Sequence, residues 1–111
     1  LPGRSHNIID AVIFLHNESP WAFKVSGHAG GGKKGYNIVC AAVSMLVRTT
    51  GRYLISMDLV EEETIDRDSV YIAVKKNDDG RAEAAWQFLL IGLNDLKQDY
   101  PDLITLKFER K

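Results

Sequence analysis

Apolar and polar positions recur along the chain with two periods, and the period separates strands from helices. From Asn7 to Glu18 the run NIIDAVIFLHNE carries Ala11, Val12, Ile13, Phe14 and Leu15 consecutively and leads into the turn formers Asn17, Ser19 and Pro20. It predicts a well-buried strand. From Trp21 to His28 the period is two, with Trp21, Phe23 and Val25 on one face and Ala22, Lys24, Ser26 and His28 on the other. That is a second strand, joined to the first as a hairpin. Gly30 to Gly35 is a loop by composition. Asn37 suits a helix N-cap, because its side-chain oxygen can accept from a first-turn amide. Beyond it Ile38, Ala42, Met45 and Thr49, and Val39, Val43, Leu46 and Val47, recur at helical spacing. The helix is expected to reach about Ser56, with Gly51 a weak point inside it or its early end.

Asp58 to Asn77 holds the acidic run EEE followed by SVYIAVKK. It predicts a second hairpin that turns near Asp66–Asp68 and points Val70, Ile72 and Val74 inward. After a turn at Asn77–Gly80, Arg81 to Tyr100 is the clearest helix. Its stripe of Trp86, Leu89, Leu90, Leu93, Leu96 and Tyr100 lies opposite Glu83, Gln87 and Asp95. Pro101 ends it. LITLKFER then alternates as a last strand with Ile104, Leu106 and Phe108 on one face. The order β-β-α-β-β-α-β predicts an α+β two-layer sandwich, two helices packed on one sheet. No repeat, linker or low-complexity tract interrupts it.

Composition narrows the function. The 111 residues suit one domain, read as 7–111, with Leu1 to His6 set aside as a tag or disordered start. Fourteen basic against fifteen acidic residues leave a net charge of −1, so no nucleic-acid partner is expected beyond a small patch at Lys33–Lys34. The single cysteine, Cys40, makes no internal disulfide, and no Cys/His spacing suggests a metal. Both features fit a reducing, cytoplasmic setting. Uninterrupted apolar runs fall well short of a membrane span, and nothing near the start resembles a signal peptide. No membrane partner is expected.

The chemistry is concentrated in Val25 to Ser44, VSGHAGGGKKGYNIVCAAVS. His28 ends a strand, a glycine loop follows, and Cys40 sits near a helix start. Unpaired first-turn amides and a neighbouring imidazolium favour a thiolate. His28 could serve as base and acid, and the helix-start amides could hold an oxyanion. The same residues also allow a small buried cysteine and a surface histidine. A third reading is a phosphate loop, since Gly27 to Lys34 nearly matches G-x-x-x-x-G-K-[ST]. Lys34 stands where the Mg²⁺-binding hydroxyl belongs, which disfavours it. The glycines better suit close approach of a substrate or partner backbone.

Gly27, His28, Ala29, Gly35, Ile38, Val39, Cys40, Ala41, Ala42, Val43 and Ser44 together resemble the signature of the ribosomal-processing cysteine protease family, small bacterial proteins with Gly-His-Ala, a glycine-bearing loop and Cys-Ala-Ala/Ser-Val-Ser. The resemblance implies a cysteine endopeptidase with Cys40 as nucleophile and His28 as general base and acid. It implies supporting or substrate-binding roles for Gly27, Gly30, Gly31, Gly32, Gly35, Asn37 and Ser44, and no cofactor or metal. The substrate implied is a large-subunit ribosomal protein precursor, cut after an aromatic-rich apolar N-terminal segment. Members are typically homodimers, and Phe88 and Ile91, off the main stripe of the second helix, are candidate interface residues. Asn37 departs from the pattern, since many members carry Asp there. That departure keeps open a second function, a non-catalytic ribosome-associated peptide-binding module with the same fold.

Overall fold

The computed structural model describes residues 8–27, 36–76 and 80–110. Its elements are β1 (Ile9–His16), β2 (Ser19–Ser26), α1 (Tyr36–Ser56), β3 (Val60–Ile65), β4 (Ser69–Val74), α2 (Arg81–Asp99) and β5 (Ile104–Arg110). The order is the expected one, β-β-α-β-β-α-β. One five-stranded sheet runs β3-β4-β2-β1-β5. Neighbours pair antiparallel except β1 and β5, which are parallel in the register Ile9↔Ile104 to Leu15↔Arg110.

β1 and β2 meet in a two-residue turn in which Asn17 and Glu18 both have positive φ, 52° and 64°. That backbone hand matches the twist of the flanking strands. Arg110, at the end of β5, donates from Nε and Nη2 to Glu18 at 2.6 and 3.0 Å, tying the parallel edge strand to the turn. The guanidinium holds the Glu18 carboxyl below the usual carboxylate range. At the other edge, Glu61, Glu62 and Glu63 of β3 are exposed. Charge on an edge strand discourages pairing with another chain.

The expectation of a well-buried β1 holds on one face only. Ile9, Ala11, Ile13 and Leu15 are buried under the helices, while Asp10, Val12 and Phe14 alternate with them and are half-buried. An antiparallel neighbour lets the second face meet water, so alternation replaces the continuous burial read from the apolar run. Trp21 also departs from its expected face. The β1–β2 register slips between Phe14 and Leu15, pairing Phe14 with Ala22 and Leu15 with Pro20. This bulge removes Trp21 from the alternation that carries Phe23 and Val25 into the core. Its ring lies 6.1 Å from Phe14, which also contacts Tyr71 at 6.2 Å on the face away from the helices.

Both helices cover the Ile13 face. α2 places Leu89 and Leu93 fully inside and sets Trp86 edge-on to Phe23 at 5.8 Å. α1 buries Val39, Val43, Val47 and Leu54 and runs unbroken through Gly51. A Cβ at Gly51 would meet Ile72 Cδ1 at 3.0 Å, so this glycine lets the helix approach β4 closely. The stretch Ile38–Ser56, with mean hydropathy 1.4, is long and apolar enough to cross a membrane, which counting uninterrupted runs did not register. Here its apolar row is spent on the sheet. On β5, Ile104 is buried and Leu106 packs against the core, while Phe108 is about half exposed.

Tyr71 gives this fold a measurable pH response. Burial, and then the charge of Glu62, raise its phenol pKa above the ordinary value. A raised folded-state pKa adds stability that is complete below the unfolded value near 10 and is lost as pH rises through the folded one. Tyr71→Phe should therefore lose less melting temperature than the unmodified protein between about pH 9 and about pH 11. Parallel pH curves would show Tyr71 to be uninvolved.

Candidate active site

Cys40 is the fifth residue of α1, counting from Tyr36. Asn37 is therefore the second helical residue, not the N-cap expected of it, because the helix begins earlier than the capping signal suggests. Propensity marks a helix start only to within a residue or two. One turn in, the backbone amide of Cys40 is committed to the helix ladder, and the unspent amides lie just before it. The side chain is half-buried and packs against the core cluster.

A groove of about 350 Å³ opens beside Cys40. Its α1 wall is made of two rows at four-residue spacing. Cys40, Ser44, Arg48 and Arg52 form the polar row, and Val43, Val47, Gly51 and Ile55 the apolar one. Side chains four apart stack along one side of a helix, so both rows follow the helix axis. The facing wall is the β3–β4 turn from Ile65 to Ser69, and Val25, Val70 and Ile72 contribute from the sheet. Ile55 and Ile65 are 51% and 62% exposed, large apolar side chains left open on opposite sides of the groove.

The turn is locked to the end of β2. Asp66 N–H donates to Ser69 O at 2.8 Å, and Gly27 N–H donates to Asp68 O at 2.9 Å. Gly27 has φ +87°, and a Cβ there would lie 2.5 Å from Ile8 O. Conformation and space both require glycine at this position. The chain leaves β2 toward His28 from this clamped point. His28, Gly30, Gly31, Gly32 and Gly35 lie outside the described residues, as does the side chain of Asn37. Of the expected site residues, the structure brings Gly27, Cys40 and Ser44 to one groove.

A larger hollow, about 830 Å³, lies between the β1–β2 turn and the start of α2. His16, Lys75, Lys76 and Trp86 line it, but it has no thiol, so a cysteine reaction belongs to the smaller groove. Among the described residues no group of three or more His, Cys, Asp or Glu side chains is placed to hold a metal.

Sequence reasoning missed Arg48, Arg52, Ile55 and the whole facing wall. Stepping by four from Cys40 along α1 would have found the arginines. The turn at 65–69 belongs to the groove only through sheet pairing, which no local pattern encodes.

Replacing Gly27 by Ala should destabilise the protein by roughly 1–3 kcal/mol, the range for backbone held in a sparsely populated region. Urea unfolding measures it, and an unchanged midpoint would mean that this strand end is not clamped.

The chain matches the family model for cysteine protease Prp over residues 8–105. Among curated protein sequences none matches. The crystal structure of SMU.848 from Streptococcus mutans is similar at TM-score 0.78 and 25% identity, covering 95% of this chain and 97% of that one. The ribosomal processing protease Prp from S. aureus, in complex with a substrate peptide, superposes at TM-score 0.81 and 21% identity, covering 92% of this chain and 100% of the other. The same S. aureus protease with a covalently linked product peptide gives TM-score 0.79 at 22% identity, over 92% and 100%. At those identities the S. aureus structures speak for the fold. The family rests on the sequence model, which takes in both helices, the groove and Cys40: this chain belongs to the cysteine protease Prp family.

Proposed function

We propose that the protein is a bacterial, cytoplasmic endopeptidase that removes the N-terminal extension of a large-subunit ribosomal protein, with Cys40 as nucleophile and His28 as general base and acid. The observation that carries this reading is the placement of the chain's only thiol beside an elongated groove, in a member of a cysteine protease family. The S. aureus structures, one with a substrate peptide and one with a covalently linked product peptide, support a peptide as the ligand of that groove.

The reaction is acyl transfer in two halves. His28 takes the Sγ proton, and the sulfur attacks the scissile carbonyl carbon. The oxyanion that forms is held by unspent amides at the start of α1, where Asn37 contributes backbone. The C–N bond breaks as His28 returns its proton to the leaving amine, leaving a thioester on Cys40. Water, deprotonated by His28, then attacks the thioester and releases the acid product and the thiol. Gly30, Gly31, Gly32 and Gly35 permit close approach of the substrate backbone. Ser44, one turn beyond Cys40 in the groove, offers its hydroxyl to the peptide.

Incubation with the extended ribosomal precursor tests the reading. Cys40→Ala should abolish cleavage while retaining binding, and His28→Ala should slow it by about 10²- to 10⁴-fold. Cleavage that survives Cys40→Ala would overturn the mechanism. Binding without cleavage by the unmodified protein would instead identify the non-catalytic peptide-binding module.

The same reading makes the protein a homodimer through α2, where Phe88 and Ile91 are 72% and 56% exposed. Neighbouring apolar side chains left this open on a helix suit a second copy better than water. Phe88→Glu should convert dimer to folded monomer in light scattering with size exclusion. A dimer indifferent to this charge would place the interface elsewhere.

A further inference from the structure

We propose that Arg48 and Arg52 are specificity-determining residues that select a peptide with a carboxylate side chain a few residues from the scissile bond. The inference rests on that part of the proposed function which makes the groove beside Cys40 the peptide site. Both arginines line that groove, in one row with Cys40 and Ser44. Both are exposed, and neither has a hydrogen-bond or ion-pair partner among the described residues. By contrast Arg110 is engaged by Glu18 with two charged hydrogen bonds. Like charges four apart on a helix repel, so the pair weakens α1 slightly unless an anion lies against it.

Geometry sets where that anion belongs. Eight and twelve residues of helix place the Cα atoms of Arg48 and Arg52 about 12 and about 18 Å along the axis from Cys40. Helical side chains lean back toward the N-terminus, which brings both guanidinium groups nearer the thiol. An extended peptide advances about 3.3 Å per residue. The arginine pair therefore faces a substrate side chain roughly three to five residues from the bond that is cut. The facing wall carries both signs, Asp66, Arg67 and Asp68, whereas the α1 rim carries two cations and no acid. A substrate carboxylate is therefore favoured at the α1 rim, where a guanidinium grips it with charge-assisted hydrogen bonds. The apolar row below receives the neighbouring uncharged side chains.

The test uses peptides that share one aromatic-rich apolar core and carry Glu, or its isostere Gln, at the third, fourth or fifth residue from the cut on either side. Their dissociation constants are measured on the Cys40→Ala protein, and their cleavage on the unmodified one. At one of these positions the Glu peptide should bind about tenfold tighter than its Gln twin. The preference should vanish in the R48Q/R52Q double variant and shrink at about 0.5 M salt. Equal affinity of every Glu and Gln pair, or a Glu preference that survives R48Q/R52Q, would overturn the proposal. If Glu is preferred in binding but the unmodified protein cuts nothing, the arginine assignment stands and the proteolytic reading falls. Cleavage without any Glu preference leaves proteolysis standing and removes the arginine assignment.

Discussion

The seating of α1 on the sheet is the contact on which the rest of the structure depends. Val39, Val43, Val47 and Leu54 are almost completely buried, and they fix the helix in rotation and in depth. Rotation decides the site. With those side chains turned down, Cys40 and Ser44 emerge on the flank of α1 that faces the β3–β4 turn, and the groove forms there over Ile9, Val25 and Val70 near the ends of the inner strands. Depth is set by close approach. Gly51 lets the helix come down on Ile72, and on the other flank Gly92 of α2 lies where a Cβ would meet Leu46 Cδ2 at 2.7 Å. A helix this apolar would suit a bilayer by composition alone; the sheet and α2 cover part of it, Ile55 lines the groove, and Ile38 and Met45 stay exposed outside it.

The second constraint comes from the sheet order. β4 pairs with β2, so the turn that begins β4 is delivered to the place where β2 ends. The bond from Gly27 to Asp68 then joins two segments about forty residues apart in sequence. The end of β2 is thereby referred to the same frame as Cys40: the thiol is fixed by α1, and the backbone is determined in φ and amide as far as Gly27. The contact between Ile8 O and Gly27 leaves no room for a side chain at this junction. The glycine of the Gly-His-Ala signature thus has a local steric cause, apart from any contact with substrate.

How much of this was legible in the sequence follows from the range of each interaction. Periods of two and of about 3.6 found every element in order, because each element shows one face to a common core. The dense Gly27–Ser44 stretch pointed to the family, since its residues serve one site and lie close along the chain. Three features were lost for reasons of the same kind. Burial of β1 was overread because its apolar run does not reveal that only one face meets the helices. The shift of Trp21 required the bulge opposite Phe14 and Leu15, which is a property of two strands together. The start of α1 ahead of Asn37 left the residue's identity correct and its cap position wrong.

The position of Cys40 one turn inside α1 also bears on how labour divides within the proposed mechanism. A nucleophile at the cap would compete with the substrate oxyanion for the same unspent amides. Set one turn deeper, the thiol leaves those amides to the oxyanion and draws its position from the helix ladder and the core packing beneath it. A polar row of the same helix then continues past Ser44 to the two arginines, so the proposed attack, substrate contact and charge selection all fall to one rigid element. Because a helix rises about 1.5 Å per residue and an extended peptide about 3.3 Å, this wall reads about one substrate residue for every two of its own. Four-residue spacing on α1 therefore corresponds to alternate substrate positions, which point to the same side of an extended strand. That match of periods suits a single 21-residue helix to line the proposed peptide groove.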